Sequence, residues 1–397
     1  KNKMATKINL RSPYYIKVSK TGLTSVQMSL YVYTGTFTPN ASVAAGTLRY
    51  TITKTPLGTN DFVVFEISEL VRDYLEVEFN GDYNSESVWL NAIATVTGGS
   101  GSETVTPDNT NGFIGLDGYG YFEEGANPTL STTLLQSNKT IVALNDDLFR
   151  IPVYVPGTDS VAFLYKGEVK TSIDLRSASV DETSEQIRYI SVNSTNLGDV
   201  DYNSFEERVV NAGGVFENST CLSNFLSCIS IDIIDKVYVS STSGVVEVLK
   251  VITLEEYLYK PIKVTFLNKF GAFQDLIFFK KSTNKTTVKG EEFKASIFNP
   301  STLTYKTNQH QRKQFLVNGA DSITMNTGFI PEDYNQVMEQ LMLTEQVWGT
   351  FITDTEELVK PLVPKTKTLI HKTQLNDKLI NYTIEFDFAS NKINNIR

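Results

Sequence analysis

The feature that most constrains the fold is a two-residue alternation of apolar and polar side chains, which recurs along the whole sequence. Residues 25–32 read Ser-Val-Gln-Met-Ser-Leu-Tyr-Val, and residues 381–388 read Asn-Tyr-Thr-Ile-Glu-Phe-Asp-Phe. Successive side chains of a strand point to opposite faces, so this pattern predicts strands with one face on a core and one toward solvent. An aromatic content of 11% also favours sheet. The sequence therefore predicts a mainly β fold.

The length of 397 residues corresponds to two or three domains at the usual domain size of roughly 100–200 residues. Breaks in the strand pattern divide the chain into 1–130, 131–255 and 256–397. We expect β-sandwich or barrel-like domains, of which the last carries a single packed helix. In the middle region the polar segment 181–211 is interpreted as long loops.

The first region ends in a stretch, 97–128, that is rich in Gly, Ser, Thr, Asp and Asn and shows no strand or helix period. Loops this long are commonly functional. We predict a projecting contact loop whose tip is an aromatic and acidic island. Its candidate contact or glycan-binding residues are Tyr119, Tyr121, Phe122, Glu123 and Glu124.

The third region contains the strongest helix signal of the chain. Apolar residues from Tyr334 to Met342 recur at positions i, i+3, i+4, i+7 and i+8, which places them on one stripe. Pro331, followed by two acidic residues, predicts a start at that proline and a helix near 331–345. A strand at Lys365–Gln374 and the alternating strand at 381–388 are expected to follow, with the helix packed across the latter.

Charge and cysteine content limit the classes of partner. A net charge of −9 argues against a nucleic-acid partner, because phosphate binding needs clustered Lys and Arg. No segment reaches the ~18 apolar residues that a membrane-spanning helix needs, and no secretion leader is expected. The two cysteines, Cys221 and Cys228, would lie about 10 Å apart on a helix but could pair in a turn. Reduced thiols are the favoured interpretation, and the pairing stays open.

Residues suited to catalysis are scarce. The two histidines, His310 and His371, lie in polar surroundings without a nucleophile motif. Two Cys and two His do not form a zinc pattern, and no glycine-rich phosphate loop precedes a helix. Glu123 and Glu124 are adjacent, so on an extended chain they would point to opposite sides and would not flank one glycosidic bond. We therefore expect a protein that is not an enzyme and has no cofactor or metal.

Three segments of the last third resemble a known class of proteins. They are Tyr259–Gly271, Gly328–Tyr334 continuing to Trp348, and Thr373–Phe386. Together these segments resemble virion proteins of tailed bacteriophages that infect Bacteroidetes-type bacteria, in particular tail-tip, baseplate or distal-tail components. The resemblance implies a tail-tube-like β-sandwich or barrel domain, flanked by one helix and assembled in rings.

The resemblance implies a structural function: the protein would form part of the tail, baseplate or connector through subunit interfaces. The implied partners are copies of the chain in a symmetric assembly and other virion proteins, and the implied location is the phage particle, assembled in the host cytoplasm. The alternative is a carbohydrate-binding or adhesion module for host attachment, with a host-surface glycan as its partner.

Overall fold

In the computed structural model the chain is mainly β, with 55% of its residues in strands, as the alternation predicts. The structure describes residues 6–34, 46–83, 87–107, 112–128, 134–144, 148–155, 160–166, 169–177, 186–193, 205–211, 214–216, 236–241, 244–254, 258–352, 357–371 and 379–393. Cys221 and Cys228 lie outside the described residues, so their pairing stays open.

The first region folds as a β-sandwich. A five-stranded sheet in the order β1-β8-β6-β3-β4 packs against a three-stranded sheet in the order β5-β2-β7. The core between them takes alternate residues from both sheets, including Val26, Met28 and Leu30 of β3 and Phe65 of β5. Its elements are β1 (Thr6–Asn9), β2 (Tyr15–Ser19), β3 (Leu23–Thr34), β4 (Thr47–Lys54), β5 (Phe62–Glu66), α1 (Ser68–Arg72), β6 (Ser87–Gly98), β7 (Thr104–Thr106) and β8 (Phe113–Leu116).

The prediction of one projecting loop over 97–128 is wrong. Strand β7 pairs with β2, and β8 is a buried strand paired with both β1 and β6. A four-residue strand with every side chain buried shows no alternation, so its burial depends on neighbours that are distant in sequence. Among the described residues of this stretch, the longest part without strand structure is 117–128, which contains a 3-10 turn at Phe122–Glu124.

The middle region contains a two-stranded pair, β10-β13, and a seven-stranded sheet in the order β15-β14-β12-β11-β16-β17-β9. The segment 181–211 is not simply loop, because two of these strands lie within it. The strands are β9 (Thr140–Leu144), β10 (Leu148–Val155), β11 (Ser160–Lys166), β12 (Val169–Ser177), β13 (Gln186–Asn193), β14 (Phe205–Asn211), β15 (Gly214–Phe216), β16 (Lys236–Ser241) and β17 (Gly244–Leu254).

The third region is built on a seven-stranded sheet in the order β19-β18-β23-β24-β26-β21-β20. A two-stranded pair, β22-β25, lies beside it. The elements are β18 (Ile262–Leu267), β19 (Phe273–Phe278), β20 (Thr283–Lys294), β21 (Arg312–Asn326), β22 (Ile330–Pro331), α2 (Tyr334–Leu343), β23 (Val347–Ile352), β24 (Glu357–Pro364), β25 (Leu379–Ile380) and β26 (Thr383–Asn391).

Helix α2 packs across this sheet as its apolar stripe predicts. Tyr334, Val337, Met338 and Leu341 are buried in one core with Ile384 and Phe386 of β26, and Met342 and Phe388 are partly buried against it. The predicted start is wrong by three residues. Pro331 belongs to β22, whose partner is β25, and the helix begins at Tyr334.

The predicted strand at Lys365–Gln374 is wrong over its described part, because β24 ends at Pro364; residues 372–374 lie outside the described residues. Residues 365–371 carry no strand beyond that point. They are held instead by contacts with β26, where the backbone N–H of Lys365 donates to the carbonyl oxygen of Glu385 at 2.9 Å.

The three regions share their cores. Trp89 and Ile114 of the first sandwich are buried with Leu135 and Ile187 of the middle region and Ala272 of the third. Strand β9 contributes Val142 and Leu144 to the core around α2. The side chain of Asp333, just before α2, accepts hydrogen bonds from the backbone N–H groups of Lys139 and Thr140 at 3.0 and 2.8 Å.

Candidate functional site

The aromatic island lies at a junction between the first and third regions. After β8 the chain runs alongside the turn between β18 and β19. The backbone N–H of Tyr119 donates to the carbonyl oxygen of Lys269 at 2.9 Å. A Cβ added to Gly118 would lie 2.5 Å from that same carbonyl oxygen, a distance that side chains do not tolerate. Gly118 is therefore required for this close approach of two backbones.

The side chain of Lys269 makes further contacts across this junction. Its ammonium lies 4.2 Å from the centroid of the Tyr121 ring and forms a salt bridge with Glu124. Glu124 also accepts a hydrogen bond from the backbone N–H of Tyr121 at 2.8 Å, which holds the 3-10 turn in place. Burial raises the pKa of Glu124, but the Lys269 and Tyr121 hydrogen bonds outweigh it and lower the pKa overall.

A second set of charged contacts links the same regions. Arg72 of α1 bonds Asp117 through its Nε at 3.0 Å and Glu345 through its Nη2 at 2.5 Å. Arg11 donates to the carbonyl oxygen of Leu343 at 2.9 Å and lies 3.4 Å from a Glu345 oxygen. Both arginines belong to the first sandwich, whereas Glu345 follows α2, so these contacts fix the helix against the sandwich.

Burial determines how the carboxylates of this set titrate. Burial raises the pKa of Asp117, and the neighbouring Arg72 only partly offsets this. Burial also works against the charged form of Glu345, but hydrogen bonding to Arg72 and the charge of Arg11 lower its pKa overall. Burial raises the pKa of the Tyr119 hydroxyl, so this residue is neutral at physiological pH.

The predicted contact residues thus divide into two groups. Tyr119 is 9% exposed, and Lys269 covers one face of the half-buried Tyr121 ring, so neither ring is fully open to stacking on a sugar. Glu124 is engaged in the junction. Glu123 is exposed, and Phe122 is 98% exposed. The island is mainly an interdomain contact, and Phe122 is its one aromatic side chain that points fully into solvent.

The residues that stand out most in the structure were not predicted from the sequence. Residues 283–317, here called the arm, form a two-stranded hairpin from β20 and the first part of β21. Every residue of β20 is exposed, and so are residues 312–317 of β21. The connecting residues 295–311 are also exposed, except for Ala295 and Ile297, which are half-buried. The two strands pair with each other from Thr283↔Thr324 to Lys294↔Arg312. An isolated hairpin of this kind is marginally stable in water.

The arm exposes an unusual number of large apolar side chains. Phe293 and Phe315 pack edge to face across the two strands, with ring centroids 5.7 Å apart, yet both remain 40% exposed or more. A groove of about 620 Å³ at the tip is lined by residues that include Ile297, Phe298 and Tyr305. The large apolar side chains exposed on the arm are Val288, Phe293, Phe298, Leu303, Tyr305, Phe315, Leu316 and Val317.

The arm also differs from the rest of the chain in charge. It holds six basic residues and two acidic ones, a net charge of +4, whereas the whole chain carries −9. The remainder of the chain therefore carries −13. Among the described residues no salt bridge reaches Lys289, Lys294, Lys306, Arg312 or Lys313. The signal that could have revealed the arm is this local excess of positive charge around a Pro-, Ser- and Thr-containing tip.

No comparison gives this chain a relative: no known protein family, curated protein or solved structure matches it.

The part of the chain that the structure describes contains no group of three His, Cys, Asp or Glu side chains arranged to hold a metal ion. His310 is exposed at the arm tip, and His371 lies 3.8 Å from Glu339 on the surface. Among the described helices, none is long and apolar enough to cross a membrane.

Proposed function

We propose that this chain is a structural subunit of a tailed-bacteriophage virion, which works through subunit interfaces in the tail, baseplate or connector and has no catalytic role. The observation that carries the proposal is the arm. A contiguous set of exposed apolar side chains is uncommon on monomers and is characteristic of interaction surfaces. In an assembly, a neighbouring copy or another virion protein would cover these side chains.

The segments that resemble phage virion proteins support the same proposal. Tyr259–Gly271 forms β18 and the turn that meets the aromatic island. Gly328–Trp348 forms β22, α2 and the start of β23, and the described part of Thr373–Phe386 forms β25 and the first half of β26. All three contribute to the core around α2. The resemblance therefore belongs to one folded unit, and the arm extends from the sheet of that unit.

The proposal is tested by removing the arm without disturbing the sheet beneath it. Lys289 and Asn318 are paired across the hairpin, so an Asn-Gly turn joining them in place of residues 290–317 keeps the register and closes a shorter hairpin. Mass photometry and electron microscopy should show that the full chain self-associates into closed or stacked particles. The shortened variant should remain monomeric, with an unchanged unfolding midpoint.

A full chain that stays monomeric up to the highest soluble concentration, alone and with other virion proteins of the same phage, would overturn the proposal. Equal self-association of the full and shortened chains would show that the arm is not the interface. Phe122→Ser serves as the control, because it removes a fully exposed aromatic side chain outside the arm and should leave association unchanged.

A further inference from the structure

An exposed acidic segment of the first region connects α1 to Tyr83. Residues 73–82, here called the strap, contain Asp73, Glu76, Glu78 and Asp82 and no basic residue. All four carboxylates are exposed. Among the described residues no salt bridge reaches Glu76, Glu78 or Asp82.

The strap is held in place although it belongs to neither a helix nor a strand. Phe79 is buried in a cluster with Leu267 and Phe273, and Trp348 packs against it. The ring of Phe79 lies 5.1 Å from that of Phe273 and 5.6 Å from that of Trp348, measured between centroids. Because Phe79 is buried while Glu76 and Glu78 are exposed, the strap presents its carboxylates outward from an anchored backbone.

We infer that the arm of one copy docks along the strap of a neighbouring copy. This inference rests on the proposed self-assembly and names the two surfaces that meet. The arm carries a net charge of +4. The first region, residues 1–130, contains nine basic and thirteen acidic residues and therefore carries a net charge of −4. No salt bridge joins arm and strap within one chain, among the residues that the structure describes. Both surfaces are therefore free to meet on different copies.

Charge complementarity between arm and strap favours a second copy in a fixed orientation as the occupant. Two chains of net charge −9 repel each other at long range, so association needs a local contact between opposite charges. The arm is the part of the chain where positive charge accumulates around exposed apolar side chains. Single exposed ion pairs contribute little. The charges thus select partner and orientation, and the apolar side chains of the arm provide the affinity.

The arrangement limits the symmetry of the assembly. The arm belongs to the third region and the strap to the first, so each docking contact joins two different surfaces. If two copies dock their arms reciprocally on each other's straps, the result is a closed two-fold dimer. If each arm docks on the next copy, repetition produces a ring when the rotation closes and a filament when it does not, and the proposed virion assembly corresponds to this second arrangement.

Charge-reversal variants test the docking. The arm variant is Lys294→Glu with Lys313→Glu, and the strap variant is Glu76→Lys with Glu78→Lys. Each alone should weaken self-association at least tenfold in sedimentation experiments at low salt. Mixing the two variants, or combining all four substitutions in one chain, should restore association. The control Lys281→Glu with Lys367→Glu reverses two exposed charges outside the arm and should leave association unchanged.

Zero-length carbodiimide cross-linking of a 1:1 mixture of ¹⁵N-labelled and unlabelled chains provides a second readout. Cross-links between labelled and unlabelled copies should join arm lysines, such as Lys289 and Lys294, to Glu76, Glu78 or Asp82. If the full chain associates but the variants behave like the control, or the arm cross-links to a different surface, the docking is wrong while the assembly proposal stands. If the full chain associates only with other virion proteins of the same phage, the docking is wrong while the assembly proposal stands. If it associates neither with itself nor with those proteins, both fail.

Discussion

The hydroxyl oxygen of Tyr334 accepts a hydrogen bond from the backbone N–H of Val142 at 2.9 Å. Tyr334 is the first residue of α2, and Val142 lies in β9, a strand of the middle sheet. Both residues are buried in the core around the helix. This bond thus connects the middle and third regions at a point from which water is excluded.

Replacing Tyr334 with Phe should destabilise the protein by about 1–3 kcal/mol, the usual cost of leaving a buried donor without a partner. The ring and its packing are kept, so the change isolates the hydroxyl group. Denaturant unfolding measures the effect. Tyr305→Phe, on the exposed arm tip, is the matched control and should change the free energy of unfolding by less than about 0.5 kcal/mol.

The apolar stripe of α2 gives a second stability prediction. Leu341 is fully buried between the helix and the sheet, so Leu341→Ala should cost about 2–5 kcal/mol. Leu343, two residues on, is 46% exposed, and Leu343→Ala should cost much less. Thermal or chemical unfolding compares the two variants. Equal effects would contradict the packing of α2 on β26.

The parts of the fold that the sequence predicted correctly are those with a sustained period. Helix α2 is amphipathic and β26 alternates, because each has one buried and one exposed face. Strand β8 was missed since all four of its residues are buried, and β20 was missed since every one of its twelve residues is exposed. Neither situation produces an alternation, so only tertiary structure reveals these strands.

The contacts of the aromatic island could not be predicted for a related reason. Its unusual composition singled out residues 119–124, and their role in binding a partner or a glycan stays a prediction, but composition does not say what those residues contact within the chain. Lys269 is 145 residues from Glu124 in sequence, and nothing near either residue indicates the pairing. The partner that we propose for the arm is equally invisible to sequence reasoning within one chain, because the proposed docking joins two copies.

The Lys269 side chain provides a prediction for the junction. Lys269→Met keeps most of the aliphatic stem but removes the charge that contacts Glu124 and the Tyr121 ring. An ion pair and a cation–π contact of this exposure are together worth about 1 kcal/mol. Hydrogen exchange in residues 119–125 should become faster, whereas Lys281→Met, at an exposed position, should leave it unchanged. Unaltered exchange in Lys269→Met would show that the backbone contacts alone hold the junction.

The close backbone approach at Gly118 can be tested separately. Gly118→Ala would place a Cβ 2.5 Å from the Lys269 carbonyl oxygen and 2.7 Å from Asn9 Oδ1. We expect a loss of stability of about 1–3 kcal/mol, typical of overpacking at a tight site. At Gly290 on the arm the nearest atom to an added Cβ is a Val317 side-chain carbon at 3.1 Å. Gly290→Ala should therefore be better tolerated in the same unfolding experiment.

The carboxylates at the junction predict opposite pH dependences for two variants. The pKa of Glu345 is lowered in the folded state, so its contribution to stability is present above its unfolded pKa of about 4.3 and is lost as pH falls through the folded value. The pKa of Asp117 is raised, so its contribution is present below an unfolded pKa of about 3.9 and is lost as pH rises through the folded value.

Relative to the unmodified chain, Glu345→Gln should therefore become less stable as the pH increases from about 3 to 7, the range that spans the ordinary carboxyl values. Asp117→Asn should become more stable over the same range, because it avoids burying a charge. Urea unfolding of the three proteins at several pH values measures both trends. If both variants become less stable with increasing pH, the opposite pKa shifts of Asp117 and Glu345 are contradicted. Such a result would mean that Arg72 stabilises the charged form of both carboxylates and that burial does not dominate the titration of Asp117.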